Sequence, residues 1–201
     1  MITVVDYGMG NIFSLTGALD RLGAPYVFTD SEEVLSGCDA LILPGVGAFS
    51  DAIANLRERK LDVFLKDWAR EGRPLLGICL GMQLLFSESC EHGYATGLDL
   101  IPGSVVEIPP VVKVPHMGWN NIRKKNEHPY LRNLQEGYVY FVHSYYAKTD
   151  PSYIIADTLY GVEVPAIVGR DSVIGMQFHP EKSSQTGKTI LEELLKNWGV
   201  I

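Results

Sequence analysis

The sequence predicts an α/β fold with an open, mostly parallel central sheet, helices on both faces, and a mixed or antiparallel β extension in the second half. Two observations carry this prediction. Apolar runs alternate with amphipathic helical runs through the first half, whereas residues 103–175 hold short β-rich runs separated by turn residues. Alternation of strands and helices is typical of a parallel sheet covered on both faces.

Apolar spacing predicts the elements of the first half in order. A β-branched run predicts the first strand, and apolar residues at helical spacing predict a first helix that Gly23 ends. The predicted strands cover residues 2–5, 26–28, 39–43 and 74–78. The predicted helices cover residues 11–22, 31–35 with a serine cap, 52–59, 61–70 and 82–86.

The second half is predicted to extend the sheet and to end in one helix. The predicted strands cover residues 104–108, 111–114, 138–142, 154–158, 166–169 and 173–178. A closing helix over residues 183–198 has its apolar side chains on one face. No linker separates the two halves, so we expect a single domain over residues 1–201.

Composition excludes several classes of partner. The chain has 201 residues, 46% of them hydrophobic and 20% charged, with a net charge of −7. An acidic chain without a basic cluster is not expected to bind nucleic acid or an anionic membrane. No apolar run approaches the roughly 20 residues needed to span a bilayer. Met1 leads directly into a strand-like run, so we expect no signal peptide.

The cysteines and histidines indicate neither a disulfide framework nor a metal site. Cys38, Cys79 and Cys90 are an odd number without a close pair, which favours a reducing cytoplasm. No Cys-x-x-Cys or His-x-x-x-His spacing occurs, so we expect no zinc, and nothing calls for an organic cofactor. We expect Cys38 and Cys90 to be small buried or semi-buried residues. Surface or structural positions are expected for His92, His116, His128 and His143.

Residues 77–81, Gly-Ile-Cys-Leu-Gly, have the pattern of a nucleophile elbow. An apolar strand runs into Cys79, and a helical run follows it. In such an elbow the nucleophile lies at the tip of a strained strand-to-helix turn, where the backbone approach requires Gly77 and Gly81. The alternative is that Cys79 is a small buried hydrophobe.

His179 and Glu181 could complete a catalytic set with this thiol. Both follow a predicted strand, and Pro180 would hold the backbone between them extended, so that both side chains project the same way. A nucleophilic thiol needs a base, and the base needs a third group that fixes its tautomer. Each residue alone could be an ordinary histidine or a solvated carboxylate.

The loop Pro44-Gly45-Val46-Gly47 is a candidate oxyanion hole. In a nucleophile elbow one donor is the N–H group after the nucleophile, here that of Leu80. The second donor comes from a loop after a neighbouring strand. The N–H group of Gly47 or Val46 is well placed to be this second donor. The alternative is a plain flexible turn.

These motifs resemble those of the class I, or triad, glutamine amidotransferases. The resemblance rests on residues 77–83, the Pro-Gly-Val-Gly loop and His179-Pro180-Glu181. Further stretches resemble the glutaminase subunits of imidazole glycerol phosphate synthases in particular. They are residues 6–11 (Asp-Tyr-Gly-Met-Gly-Asn), 116–120 (His-Met-Gly-Trp-Asn), 141–145 (Phe-Val-His-Ser-Tyr) and 177–183 (Gln-Phe-His-Pro-Glu-Lys-Ser).

The resemblance implies a sheet of the flavodoxin-like kind and hydrolysis of L-glutamine through a Cys79 thioester. His179 would be the base and Glu181 its orienter, with Leu80 and Gly47 as oxyanion donors. The resemblance further implies that Gln83, Ser144 and Tyr145 bind the substrate.

The same resemblance implies a partner. Ammonia must be passed on directly, and 201 residues leave no room for a synthase domain. A separate (β/α)8-barrel cyclase subunit is therefore expected, forming a heterodimer in histidine biosynthesis. Candidate interface residues near the strand ends are Asn11, Trp119, Tyr138 and Lys182.

Three alternatives remain at this point. The chain could serve another synthase, such as anthranilate synthase or the pyridoxal phosphate synthase. It could be a cysteine peptidase or esterase with a similar elbow, or a regulatory module that has kept the fold without activity.

Overall fold

The computed structural model describes all 201 residues. The strands are β1 (Ile2–Val5), β2 (Tyr26–Thr29), β3 (Ala40–Leu43), β4 (Leu75–Ile78), β5 (Phe86–Ser89), β6 (Ala95–Thr96), β7 (Ile101–Glu107), β8 (His116–Lys124), β9 (Gly137–His143), β10 (Tyr145–Thr149), β11 (Ile154–Tyr160), β12 (Val162–Arg170) and β13 (Val173–Met176). The helices are α1 (Ile12–Arg21), α2 (Glu32–Ser36), α3 (Phe49–Glu58), α4 (Leu61–Arg70), α5 (Leu80–Leu84) and α6 (Ser184–Asn197). Two 3-10 turns cover Pro151–Tyr153 and Pro180–Lys182.

The central sheet has nine strands in the order β2-β1-β3-β4-β13-β12-β11-β8-β9. Every neighbouring pair from β2 to β13 is parallel, and every pair from β13 to β9 is antiparallel. The predicted α/β fold with an open parallel sheet and an antiparallel extension is confirmed. β13 joins the two halves of the sheet, because it pairs with β4 on one side and with β12 on the other.

Part of the second half forms a separate sheet instead of extending the central one. This second sheet has four strands in the order β10-β7-β5-β6. It begins directly after α5, which has only five residues. A crossover back into a parallel sheet needs a dozen or more residues, so β5 starts a new sheet and β7 pairs with it.

Two hydrophobic cores cover the two faces of the central sheet. Alternate residues of β1 point to opposite sides, with Ile2 and Val4 in one core and Val5 in the other. The first core packs against α1 and α6, and the second packs against α2, α3, α4 and α5. Burial of both faces explains why β1, β3, β4 and β13 are almost wholly apolar, whereas the edge strand β2 is only half-buried.

Several predicted elements differ from the observed ones. Residues 111–114 form no strand, and the predicted helix 82–86 begins earlier, since α5 is Leu80–Leu84 and Phe86 starts β5. Ser31 precedes α2 but makes no side-chain cap bond. Strands β5, β6, β8 and β10 were not predicted.

No helix is both long and apolar enough to cross a membrane.

Candidate active site

The carboxyl ends of the parallel strands share one edge of the central sheet. The Asp6–Asn11 loop follows β1, the Pro44–Gly47 loop follows β3, and Cys79 follows β4. His179 lies three residues after β13, the strand next to β4. The fold therefore brings together segments that are 100 positions apart, at the edge where open parallel sheets bind ligands.

Cys79 lies at the tip of a strained turn. Its backbone has φ +56° and ψ −112°, a conformation rarely adopted by residues with a side chain. A Cβ atom on Gly77 would lie 2.6 Å from the Gly81 carbonyl oxygen, and one on Gly81 would lie 1.9 Å from the Leu43 carbonyl oxygen. Both flanking glycines are therefore required by close backbone contacts, as the elbow pattern predicts.

His179 is buried and paired with Glu181. Its Nδ1 lies 2.8 Å from Glu181 Oε1, and both side chains are less than 5% exposed. The backbone between them is not extended as predicted, because Pro180 begins a 3-10 turn. Proline is favoured at the first position of a helical turn, where its missing N–H group is not needed. The two side chains nevertheless form the predicted pair.

The charge on His179 is stabilised by its neighbours. Burial alone lowers the pKa of this imidazole, but Cys79 and the Glu181 carboxylate outweigh burial and raise the pKa to about 10. An imidazolium favoured beside Cys79 is the partner that a thiolate nucleophile requires.

The Pro44–Gly47 loop is held next to the elbow. The Tyr7 hydroxyl is buried and donates a hydrogen bond of 2.7 Å to the Pro44 carbonyl. Burial, with a smaller contribution from Cys79, raises the pKa of Tyr7, so its proton stays available for this bond. Gly47 has φ +100°, which favours glycine. The loop is therefore anchored at Pro44 and has, at Gly47, a backbone conformation that favours glycine.

A cavity of about 500 Å³ unites most of the predicted site residues. Seven of them line it: Gly47, Cys79, Leu80, Gln83, Ser144, Tyr145 and His179. Glu181 contacts this cavity only through His179.

The Gln83 side chain is already bonded within the protein. Its Nε2 donates to the Tyr145 carbonyl at 3.0 Å and to Gln177 Oε1 at 3.1 Å. Only its Oε1 is left for a ligand. Gln83 therefore also holds the first residue of β10 in place, a task the sequence did not suggest.

Residues that sequence reasoning missed also line the cavity. Glu91, Glu107, His92 and His143 are the polar ones. Glu91 is buried, and its Oε2 accepts a hydrogen bond of 2.8 Å from the Phe49 N–H group at the start of α3. The only sequence feature that could have drawn attention to Glu91 is Gly93, two residues later, which indicates a turn. His92 is exposed, His116 and His143 are buried, and His128 is half-buried.

The two remaining cysteines differ from each other. Cys38 is buried, as expected, whereas Cys90 is exposed, so the expectation of a buried or semi-buried Cys90 is wrong. Cys90 follows β5 and precedes the turn at Gly93, which turns its side chain away from both cores.

The four candidate interface residues are exposed, and they lie along one side of the site. The turn Pro180–Lys182 packs between α1 and β9. It therefore lies between Asn11, which precedes α1, and the pair Trp119 on β8 and Tyr138 on β9. Two further apolar side chains are exposed in the same elements, Phe13 at 88% and Met117 at 62%. We call this set the docking face: Asn11, Phe13, Met117, Trp119, Tyr138 and Lys182.

Comparisons with known proteins identify the family of the chain. The family model described as "Glutamine amidotransferase class-I" matches residues 3–198. The chain is 50% identical to "Imidazole glycerol phosphate synthase subunit HisH" of Halalkalibacterium halodurans, covering 100% of this chain and 96% of the relative. It is 51% identical to the same-named protein of Bacillus subtilis, covering 98% and 96%. It is 54% identical to that of Carboxydothermus hydrogenoformans, covering 96% and 98%.

Solved structures show the same fold at lower identity. A crystal structure of a glutamine amidotransferase superposes with a TM-score of 0.79 at 21% identity, covering 100% of both chains. The structure of PurLQS from Thermotoga maritima gives a TM-score of 0.75 at 18% identity, covering 97% of both chains.

Proposed function

Because the chain belongs to the class-I glutamine amidotransferase family, we propose that it is the glutaminase subunit of an imidazole glycerol phosphate synthase. It hydrolyses L-glutamine to L-glutamate and ammonia, and it passes the ammonia to a (β/α)8-barrel cyclase subunit. That partner forms imidazole glycerol phosphate and aminoimidazole carboxamide ribotide in L-histidine biosynthesis. Relatives of that name, at least 50% identical over nearly the whole chain, support this proposal.

We propose Cys79, His179 and Glu181 as the catalytic residues. The thiolate of Cys79 attacks the side-chain amide carbon of glutamine, and His179 protonates the departing nitrogen, which leaves as ammonia. The γ-glutamyl thioester is then attacked by a water molecule whose proton His179 takes. Glu181 holds the imidazole in orientation throughout, as its 2.8 Å contact with Nδ1 permits.

The tetrahedral intermediates carry negative charge on the former amide oxygen. We propose the N–H groups of Leu80 and Gly47 as donors to this oxyanion, because both residues line the cavity beside Cys79. Each donor contributes only when the charge has developed, so both act on the rate of the chemical steps.

The two ends of the amino-acid group need different partners. The ammonium group of glutamine needs a carboxylate, and Glu91 is the buried one in the cavity. We propose Glu91 for this role and keep Gln83, Ser144 and Tyr145 as further substrate contacts. Residues 1–201 are proposed to act as one domain in the cytoplasm, with the docking face against the cyclase subunit.

The observation that supports this function most directly is the buried His179–Glu181 pair beside Cys79. Cys79→Ala should lower glutaminase turnover of the complex at least about a thousandfold, since no other thiol lines the cavity. Cys90→Ala, which removes the exposed thiol, is the matched control and should keep full turnover. Turnover within tenfold of wild type for Cys79→Ala would contradict the proposed nucleophile.

A second experiment separates this function from the alternatives. A glutamine analogue with an electrophilic side chain should label Cys79 covalently, whereas labelling by peptide or ester probes alone would indicate a hydrolase. Co-purification with cyclase subunits, followed by a glutamine-dependent cyclase assay, distinguishes this synthase from other amidotransferase partners.

A further inference from the structure

Two buried histidines lie opposite each other beside the substrate cavity. His116, the first residue of β8, pairs in register with His143, the last residue of β9. The ring atoms His116 Nδ1 and His143 Nε2 are 3.0 Å apart. The His116 ring is stacked between Phe141 and Tyr160, with centroid distances of 4.6 Å and 3.9 Å.

The donors and acceptors around this pair can be assigned in one way only. His143 Nδ1 lies 2.8 Å from the Tyr145 carbonyl oxygen, which can only accept, so His143 carries its proton on Nδ1. Its Nε2 must then accept from His116 Nδ1. His116 Nε2 in turn accepts from Asn120 Nδ2 at 3.3 Å, a group that also donates to the Leu159 carbonyl at 3.1 Å.

Both rings must be neutral for this arrangement to form. Burial lowers the pKa of His116 to about 4. Burial, together with nearby positive charge on His116 and His179, lowers the pKa of His143 to about 3, although its bond to Tyr145 acts in the opposite sense. At neutral pH the pair therefore carries no charge. We call the chain of hydrogen bonds from Asn120 through His116 and His143 to the Tyr145 carbonyl the relay.

The relay ends in the substrate cavity. The Tyr145 carbonyl receives a second hydrogen bond from Gln83 Nε2 at 3.0 Å, so both of its lone pairs are occupied. Its peptide plane is thereby fixed, and with it the corner between β9 and β10 that carries Ser144. This corner is close to the nucleophile, since Cys79 Sγ lies 3.9 Å from the Val142 carbonyl oxygen.

We propose that His116 and His143 are positioning residues of the glutamine site: they pass a one-directional line of hydrogen bonds from Asn120 on β8 to the Tyr145 carbonyl and so orient the Ser144–Tyr145 corner towards the substrate. This inference rests on the proposed glutaminase function. Strand β8 also carries Trp119, whose neighbours in register place it on the opposite face from His116. The relay therefore links the docking face to the substrate cavity through one strand.

The test compares variants of the intact complex. His116→Phe keeps an aromatic ring in the stack but removes the donor to His143. KM for glutamine should rise about tenfold while kcat changes less than about threefold, because one buried hydrogen bond is lost and the triad is untouched. His128→Phe, at a half-buried histidine outside the cavity, is the matched control and should leave both constants unchanged.

A conservative pair at His143 provides a second comparison. His143→Asn retains a donor that can reach the Tyr145 carbonyl, whereas His143→Leu does not. KM should therefore rise much more in the leucine variant than in the asparagine variant. Equal KM values in the two variants, or an unchanged KM in His116→Phe, would overturn the positioning role.

Nitrogen NMR of the wild-type complex gives a readout independent of turnover. Both rings should be neutral with the proton on Nδ1 at pH 7. A charged ring, or a proton on Nε2 of either residue, would overturn the relay even if a variant fails to fold. A wild-type complex that does not hydrolyse glutamine would instead contradict the proposed function.

Discussion

In the proposed mechanism Glu181 does not contact the substrate and acts by holding His179. Glu181→Gln keeps the size of the side chain but removes the charge that favours the imidazolium, so the pKa of His179 should fall from about 10. An amide can also hold the ring in the wrong tautomer. We expect kcat of the complex to fall about 10³- to 10⁴-fold, with KM nearly unchanged.

The measurement is steady-state glutamine turnover at several pH values. Glu58→Gln, at an exposed position at the end of α3, is the control and should match wild type. A Glu181→Gln variant that retains more than a tenth of the wild-type kcat would show that His179 does not need its carboxylate.

Tyr7 anchors the proposed oxyanion loop by a single hydroxyl. Tyr7→Phe leaves the buried Pro44 carbonyl without its 2.7 Å hydrogen bond. The loosened loop should lower kcat about tenfold, while KM changes less than about twofold, because an oxyanion donor acts only on the transition state. Tyr26→Phe, at a half-buried tyrosine of β2, serves as control, and equal kcat values in both variants would rule out the anchor.

At the scale of residues, what could be predicted was local. Cys79 and His179-Pro180-Glu181 lie in short motifs, so a spacing of one or two positions was enough to single them out as candidates. Glu91 was missed because its position is defined by the Phe49 N–H group, 42 positions away. The role of His143 likewise depends on a partner strand that the sequence pattern did not reveal.

The elbow is fixed by a close contact between α5 and β3 and not by its own sequence alone. Gly81→Ala would bring a Cβ atom to 1.9 Å from the Leu43 carbonyl oxygen, so either β3 or α5 must move. We expect a loss of about 3 kcal/mol or more in the free energy of unfolding, measured by urea denaturation. Gly37→Ala is the matched control, since its φ is −86° and its nearest new contact is an ordinary 3.7 Å. Equal stability of the two variants would contradict the close contact.

The buried His116 of the β8–β9 hairpin should make the free energy of unfolding depend on pH. His116 is neutral in the folded chain down to about pH 4 but is protonated in the unfolded chain below about pH 6.5. Its contribution is therefore present above pH 6.5 and is lost as the pH falls towards 4, by about 1.4 kcal/mol per pH unit.

Wild type should lose stability relative to His116→Phe as the pH falls from 7 to 5, because the unfolded wild-type chain takes up a proton at His116 and the variant cannot. Urea denaturation at three pH values measures it. A wild type that loses no stability relative to the variant over this range would show that His116 is not held neutral.

At the scale of elements, prediction succeeded where both sheet faces are buried. The strands β1, β3 and β4 are almost wholly apolar, and α4 was predicted with its observed bounds. Strand β8 was missed because one face carries exposed and polar residues and because Gly118 interrupts it. Residues 111–114 have a strand-like composition but no partner, since prolines stand on both sides of the run.

At the scale of the whole molecule, the docking face stands out because its apolar side chains are exposed. Trp119 is 53% exposed and Tyr138 is 63% exposed. Large aromatic residues of this kind are frequent binding hot spots, worth about 2 kcal/mol or more. Trp119→Ala and Tyr138→Ala should each raise Kd for the cyclase subunit by about 30-fold.

The control for these variants is Val63→Ala, at an exposed apolar position on α4 and away from the docking face. Calorimetric titration with the cyclase subunit gives the three Kd values. If Val63→Ala weakens binding as much as the aromatic variants do, the interface lies elsewhere.

The position of β13 has a consequence for how the protein is made. It emerges during synthesis after the other eight strands of this sheet, yet it is the fifth of nine in the sheet order and pairs with β4, formed about 100 residues earlier. Until β13 is inserted, β2-β1-β3-β4 and β12-β11-β8-β9 are two separate half-sheets, each with an open edge. Such a late, long-range pairing is a slow folding step. Cys79 and His179 therefore come together only after β13 has emerged and paired with β4, so a nascent chain that stops before residue 179 lacks the proposed catalytic set.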